Sequence, residues 1–207
     1  MHPYKHLPSR QFWNQAVSGT PWAEVLRHES GKFRITSADS VASAGSCFAQ
    51  RISRVIVEAG LNYGFQESPH PLMPAAMAQE QGYGVFSCRY GNVYTTRQLL
   101  QLVKEALGLR PPIHSFGSNA AGRVFDLMRP NINKGGFDSI EEAVADRSFH
   151  LACVARMLTE SDVFIFTLGL TETWLEAGSG VVYGSHPGVV LQQPSPVALQ
   201  PHNLDYI

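Results

Sequence analysis

The chain has 207 residues, enough for one sizeable α/β domain with a real core and too few for two comfortable ones. A hydrophobic share of 44% beside a charged share of 16% excludes a disordered chain, and a formal net charge of −1 gives no reason to expect a nucleic-acid or anionic-membrane partner. Cys47, Cys88 and Cys153 are odd in number and fall in no Cys-x-x-Cys or Cys/His spacing, so a disulfide framework and a zinc site are not expected, and a reducing cytoplasm is.

Residues 1–32 read as an irregular wrap, interrupted by Pro3, Pro8 and Pro21, with Tyr4, Phe12 and Trp13 as rings to tuck against a domain. They contain no apolar run of signal-peptide length, and no stretch of the chain is expected to span a bilayer. Val41–Ala44 is the first predicted strand. Phe48, Ile52, Val55, Ile56 and Ala59 then recur as one apolar helix face, and Gly60 is placed to cap its end. "LNYGF" (61–65) predicts a second strand, and "YGVFSCRYGNVYTT" (83–96) extended segments around a bend.

Thr95 or Thr96 caps a helix built on Leu99, Leu100, Leu102, Val103 and Leu107, which the Gly- and Pro-rich run at 108–122 ends. "RVFDLMRPN" (123–131) predicts a short strand before the Gly135-Gly136 turn. Ser139 and Glu142 form a capping box for a long helix through Ala143, Val144, Phe149, Leu151, Ala152, Ala155 and Leu158. Glu141-Glu142 and Asp146-Arg147 read as its solvated face. "SDVFIFTLGL" (161–170) is a continuous apolar run that suits a parallel strand buried on both faces. "GSGVVYGSHPGVV" (178–190) predicts a small hairpin.

This alternation predicts an α/β fold with a parallel sheet covered on both sides, in one domain. Ligands collect at the carboxyl ends of such strands. Two strand ends stand out, Gly45-Ser46-Cys47 and Gly169-Leu170-Thr171-Glu172, and both are expected on one rim.

At the first of them a strand turns directly into a helix. The helix start directs free N–H groups and a positive dipole end at the corner, which favours a thiolate at Cys47 or a reaction oxyanion. Gly45 permits a turn tight enough to expose the next side chain. The competing reading is a packing turn, with Ser46 as N-cap and Cys47 as a small buried hydrophobe. A phosphate-binding turn is a third reading, without a G-x-G-x-x-G or Lys-bearing pattern to support it.

"GSCFA" (45–49), "YGNVYTT" (90–96), "DVFIFTLGLTETW" (162–174), "SHPGV" (185–189) and "SPV" (195–197) follow one another in the chain. In these motifs, from about residue 33 to 197, the sequence resembles the GSCFA domain family, itself similar to the SGNH hydrolase superfamily. The resemblance implies a three-layer α/β/α sandwich with a mostly parallel, flavodoxin-like sheet. It implies an acyl-ester hydrolase or acyltransferase acting on an acylated saccharide, with no metal or organic cofactor.

By the same resemblance, a gapless overlay on the superfamily's Gly-Asp-Ser block puts the nucleophile at Cys47, and a one-residue slip puts it at Ser46. Gly91 matches the backbone oxyanion donor, with Asn92 beside it. Gly169, Thr171 and Glu172 fall on the Gly-x-Asn-Asp block. Thr171 replaces the amide donor and Glu172 the carboxylate, which leaves Glu172 as base or orienter. The superfamily's Asp-x-x-His block has no counterpart in "SPVALQPHNLDYI" (195–207), so a chain that stops early or a degenerate member is expected. His186 and His202 are the only late histidines; both read first as surface-loop residues, with His186 retained near the site. Tyr83, Tyr90 and Tyr94 line a sugar site or fill the sheet edge. The rival to an enzyme is a non-catalytic glycan- or partner-binding module.

Overall fold

The structure, a computed structural model, describes residues 4–25 and 32–203, which fall into two units, 1–35 and 36–207. In the first, a 3-10 turn at Ser9–Gln11 leads into one helical turn, α1 (Trp13–Ala16), and neither buries a residue. Tyr4 and Trp13 are exposed.

In the second unit four small residues build β1 (Val41–Ala44), and all four are fully buried. α2 (Cys47–Glu58) follows after two residues. Its buried face is Ala49, Ser53 and Ile56, while Phe48 and Val55 are more than 60% exposed, so the apolar face expected from periodicity is largely turned to solvent. The small residues win because α2 lies close to the end of β1: a Cβ placed on Gly45 would stand 3.1 Å from that of Ala49. Gly60 ends the helix in a left-handed conformation (φ 72°), its N–H donating to Val57 O and that of Leu61 to Ile56 O, a Schellman cap.

The chain then passes β1 again. Val41 donates to Asn62 O and accepts from Gly64 N–H, a parallel bridge that is all the 61–65 segment forms of the predicted strand. α3 (Ala75–Glu80) is short, and residues 83–95 form no strand but bury Phe86–Tyr90, Val93 and Thr95 as irregular chain.

α4 (Thr96–Ala106) is capped by Thr95, whose hydroxyl accepts from Gln98 N–H. Its most buried side chains are Gln98, Gln101 and Glu105, whereas Leu100 and Leu107 are exposed. β2 (Phe116–Ser118) and β3 (Val124–Asp126) pair antiparallel. α5 (Ile140–Glu160) starts at Ser139, which accepts from Glu142 N–H, while the Glu142 carboxylate accepts from Asp138 N–H, one residue before the cap. Phe149 is exposed, but Arg147, His150, Leu151, Val154 and Met157 are buried.

β4 (Val163–Phe166) pairs parallel with β1 in the register Val41↔Val163 to Ala44↔Phe166. It is half-buried along its length rather than fully buried, and among the described residues it has a strand neighbour, β1, on one edge. β5 (Glu172–Glu176), β6 (Val182–Tyr183) and β7 (Leu199–Asn203) form an antiparallel sheet ordered β6-β5-β7. α6 (Pro187–Leu191) takes the second half of the segment expected as a hairpin. The fold is thus mixed helix and strand around a small parallel sheet, and no described helix is long and apolar enough to cross a membrane.

Asp146-Arg147 is no solvated face. Arg89 bridges Glu67 and Asp146, Arg129 bridges Asp146 and Asp126, and Arg147 bridges Asp126 and Glu105, with each guanidinium almost fully buried. His150 Nδ1 joins the chain at Glu67 Oε2, 2.7 Å away. Ions this deep hold only because each has partners of opposite sign.

Candidate active site

The parallel pairing of β1 and β4 brings both carboxyl ends to the same edge. Thr167 N–H extends the ladder to Ala44 O (3.2 Å). Gly45 sits at φ 149°, and a Cβ there would overlap the Thr167 hydroxyl, so glycine is required both for conformation and for space. Residues 91–94 run across both strand ends: Val93 N–H donates to Gly45 O (2.9 Å), and Tyr94 O accepts from Gly169 and Leu170 N–H (3.2 and 3.1 Å).

Ser46 is the N-cap of α2, half-buried, its hydroxyl accepting from Phe48 N–H at 3.4 Å. Cys47 is the first helical residue and is exposed, not the buried small hydrophobe of the packing-turn reading. A Cβ on Gly169 would lie 3.8 Å from that of Ser46, so the two corners touch. Beside them opens a pocket of about 330 Å³ lined by Leu168, Gly169, Leu170, Thr171 and Glu172. Glu172 also borders a neighbouring pocket of about 200 Å³ with Tyr94, Leu170 and Trp174.

Gly91 and Asn92 face another way. Gly91 takes φ 67°, and the two line a separate pocket of about 310 Å³ with Gln50 and Asn131. The Asn92 amide accepts from Gln50 Nε2 (3.4 Å) and donates to the Tyr94 hydroxyl (3.0 Å). His186 is no surface-loop residue: its Nδ1 accepts from Gly188 N–H to cap α6, and its ring packs edge-to-face on Trp174 at 4.7 Å. His202 lies in β7 opposite Thr173. Tyr90 is buried and Tyr83 lies under the Arg89 guanidinium at 4.2 Å, which leaves Tyr94 as the ring at the rim.

The sequence pattern of the GSCFA family matches residues 40–196, well over half of the chain. The chain belongs to the GSCFA family. Its signature residues, Gly45 to Ala49, are thus the corner itself: the turn, the N-cap, the first helical residue, and the alanine that lets α2 approach β1. No curated protein and no solved structure matches the chain.

The polar stripe Gln98-Gln101-Glu105 escapes a search for apolar periodicity. Its i, i+3, i+7 spacing is the signal that reveals it. Among the described residues no group of three His, Cys, Asp or Glu is placed to hold a metal ion.

Proposed function

We propose that this GSCFA chain is an SGNH-like acyl-ester hydrolase or acyltransferase on a three-layer α/β/α sandwich, acting in the cytoplasm on an acylated saccharide. One observation carries the reading: Ser46, the N-cap of α2, stands beside Gly169, whose segment 168–172 lines an open pocket at the carboxyl edge of a parallel strand pair, and Cys47 follows Ser46 as an exposed residue of the helix start. Cys47 or Ser46 attacks the ester carbonyl, and the helix start and the Thr171 region hold the oxyanion. The nucleophile's proton passes to Glu172 and then to the leaving alkoxide, and water or an acceptor hydroxyl releases the acyl group. Asn92 is left out of the oxyanion hole, because its amide is engaged by Gln50 and Tyr94 and, with Gly91, it lines a separate pocket.

The rival, a non-catalytic glycan- or partner-binding module, is favoured by one observation. Among the described residues no histidine lines the pockets at residues 168–172, at Tyr94–Trp174 or at Gln50–Asn131. Turnover of p-nitrophenyl acetate by the wild type, Cys47→Ala and Ser46→Ala decides between them. Loss in one variant names the nucleophile; no turnover above buffer in the wild type leaves the binding module.

A further inference from the structure

α4 uses its buried polar stripe on backbone and ions. Gln98 accepts from Tyr94 N–H (2.9 Å) and donates to Asn92 O (3.2 Å). Gln101 donates to Val182 O (3.1 Å) and accepts from Val182 N–H (3.0 Å). Glu105 Oε2 accepts from Ile113 N–H (2.8 Å) and Arg147 Nη2 (2.6 Å).

Along this stripe lies a small cavity of about 20 Å³, lined by Gln98, Gln101, Glu105, Arg129 and Arg147 among others. Three buried atoms of its lining residues, Glu105 Oε1, Arg129 Nη1 and Arg147 Nε, have no hydrogen-bond partner among the described residues. The three residues are at most 4% exposed, so bulk water does not serve these atoms. A buried polar atom without a partner is destabilising, and each calls for an explanation.

We propose that the cavity binds one water molecule, which accepts from Arg129 Nη1 and Arg147 Nε and donates to Glu105 Oε1. Its size exceeds the roughly 10–15 Å³ that one water requires, and three polar partners fall within the usual two to four. Charge excludes the other small ligands. A halide would meet the Glu105 carboxylate, a cation would meet two guanidinium groups, and an apolar guest would leave all three atoms unserved. Only a neutral ligand that both donates and accepts fits.

A crystal structure of the full chain at about 2 Å tests the site, with a water–amide NOE experiment on ¹⁵N-arginine-labelled protein as a solution readout. The expected result is one density peak about 2.7–3.2 Å from all three atoms, with a long-lived water cross-peak at the Arg147 Nε–H. Glu105 Oε1 bonded directly to Arg147 Nε, with no peak between them, overturns the proposal. So does an anomalous peak at that position after a bromide soak, since it would make the site an anion site.

Discussion

Nδ1 of His150 lies 2.7 Å from Oε2 of Glu67, tying α5 to the segment that follows the 62–64 bridge. Burial, then the charge of Arg129, lowers His150 to about 4, against the opposing pull of Glu67. Burial alone would raise Glu67, but the bonds from His150 and Arg89 N–H outweigh it and hold the carboxyl at about 2. At neutral pH the pair is a carboxylate accepting from a neutral imidazole.

Both depressed values make the fold weaker in acid. Between pH 6.5 and about 4 the unfolded chain binds a proton at His150 that the folded chain refuses, and Glu67 behaves likewise between 4.5 and about 2. The urea midpoint is expected to fall steadily as pH drops from 7 to 4. His150→Gln, which keeps a donor for Glu67 without titrating, flattens the upper part of that slope.

Arg147→Leu is expected to destabilise the fold by about 3–5 kcal/mol, read as a shift in urea unfolding, because Glu105 and Asp126 each lose a buried cation. An exchange on the exposed side of α2, Val55→Lys, changes the same midpoint by no more than about 0.5 kcal/mol.

The two rim glycines separate folding from function. Gly45→Ala forces a side chain into the Thr167 hydroxyl at φ 149° and is expected to cost more than about 3 kcal/mol or prevent folding. Gly169→Ala brings its methyl to 3.4 Å from Tyr94 O and 3.8 Å from Ser46 Cβ and Tyr94 Cα, ordinary contacts, so thermal unfolding shifts little. Under the proposed function the added methyl fills the space between Gly169 and Ser46 that the substrate carbonyl must enter, and p-nitrophenyl acetate turnover drops about tenfold or more.

Iodoacetamide is expected to label Cys47 first, as mass spectrometry of digests would show. Cys47 is exposed, whereas Cys88 and Cys153 are buried and burial pushes both thiols up, away from the reactive thiolate. Faster labelling at Cys88 or Cys153 would contradict this placement.

Boundaries and caps were legible in the sequence because they depend on neighbours in the chain: Val41–Ala44, the Thr95 and Ser139 caps and the Gly60 stop all come from local chemistry. The GSCFA corner was legible for the same reason. Helix faces were not. Periodicity locates an apolar stripe, but close approach to β1 selected the small residues of α2, and distant ions and backbone groups selected the glutamines of α4. Arg89 and Arg147 are buried by partners up to 57 residues away, which no local window contains. The engagement of Asn92 was hidden likewise, since its amide meets Gln50 one helical turn beyond the corner.

A glutamine side chain carries the donor and acceptor of a peptide group, and Gln98 meets residues 92–94 as an adjacent strand would. Yet it is one side chain on a rotatable stem, not a rung locked between others. A single rotamer change breaks both of its bonds, yet Val93 N–H on Gly45 O and Tyr94 O on Gly169 and Leu170 N–H still hold the segment to the strand ends, so α4 and the sheet fasten the rim independently of one another.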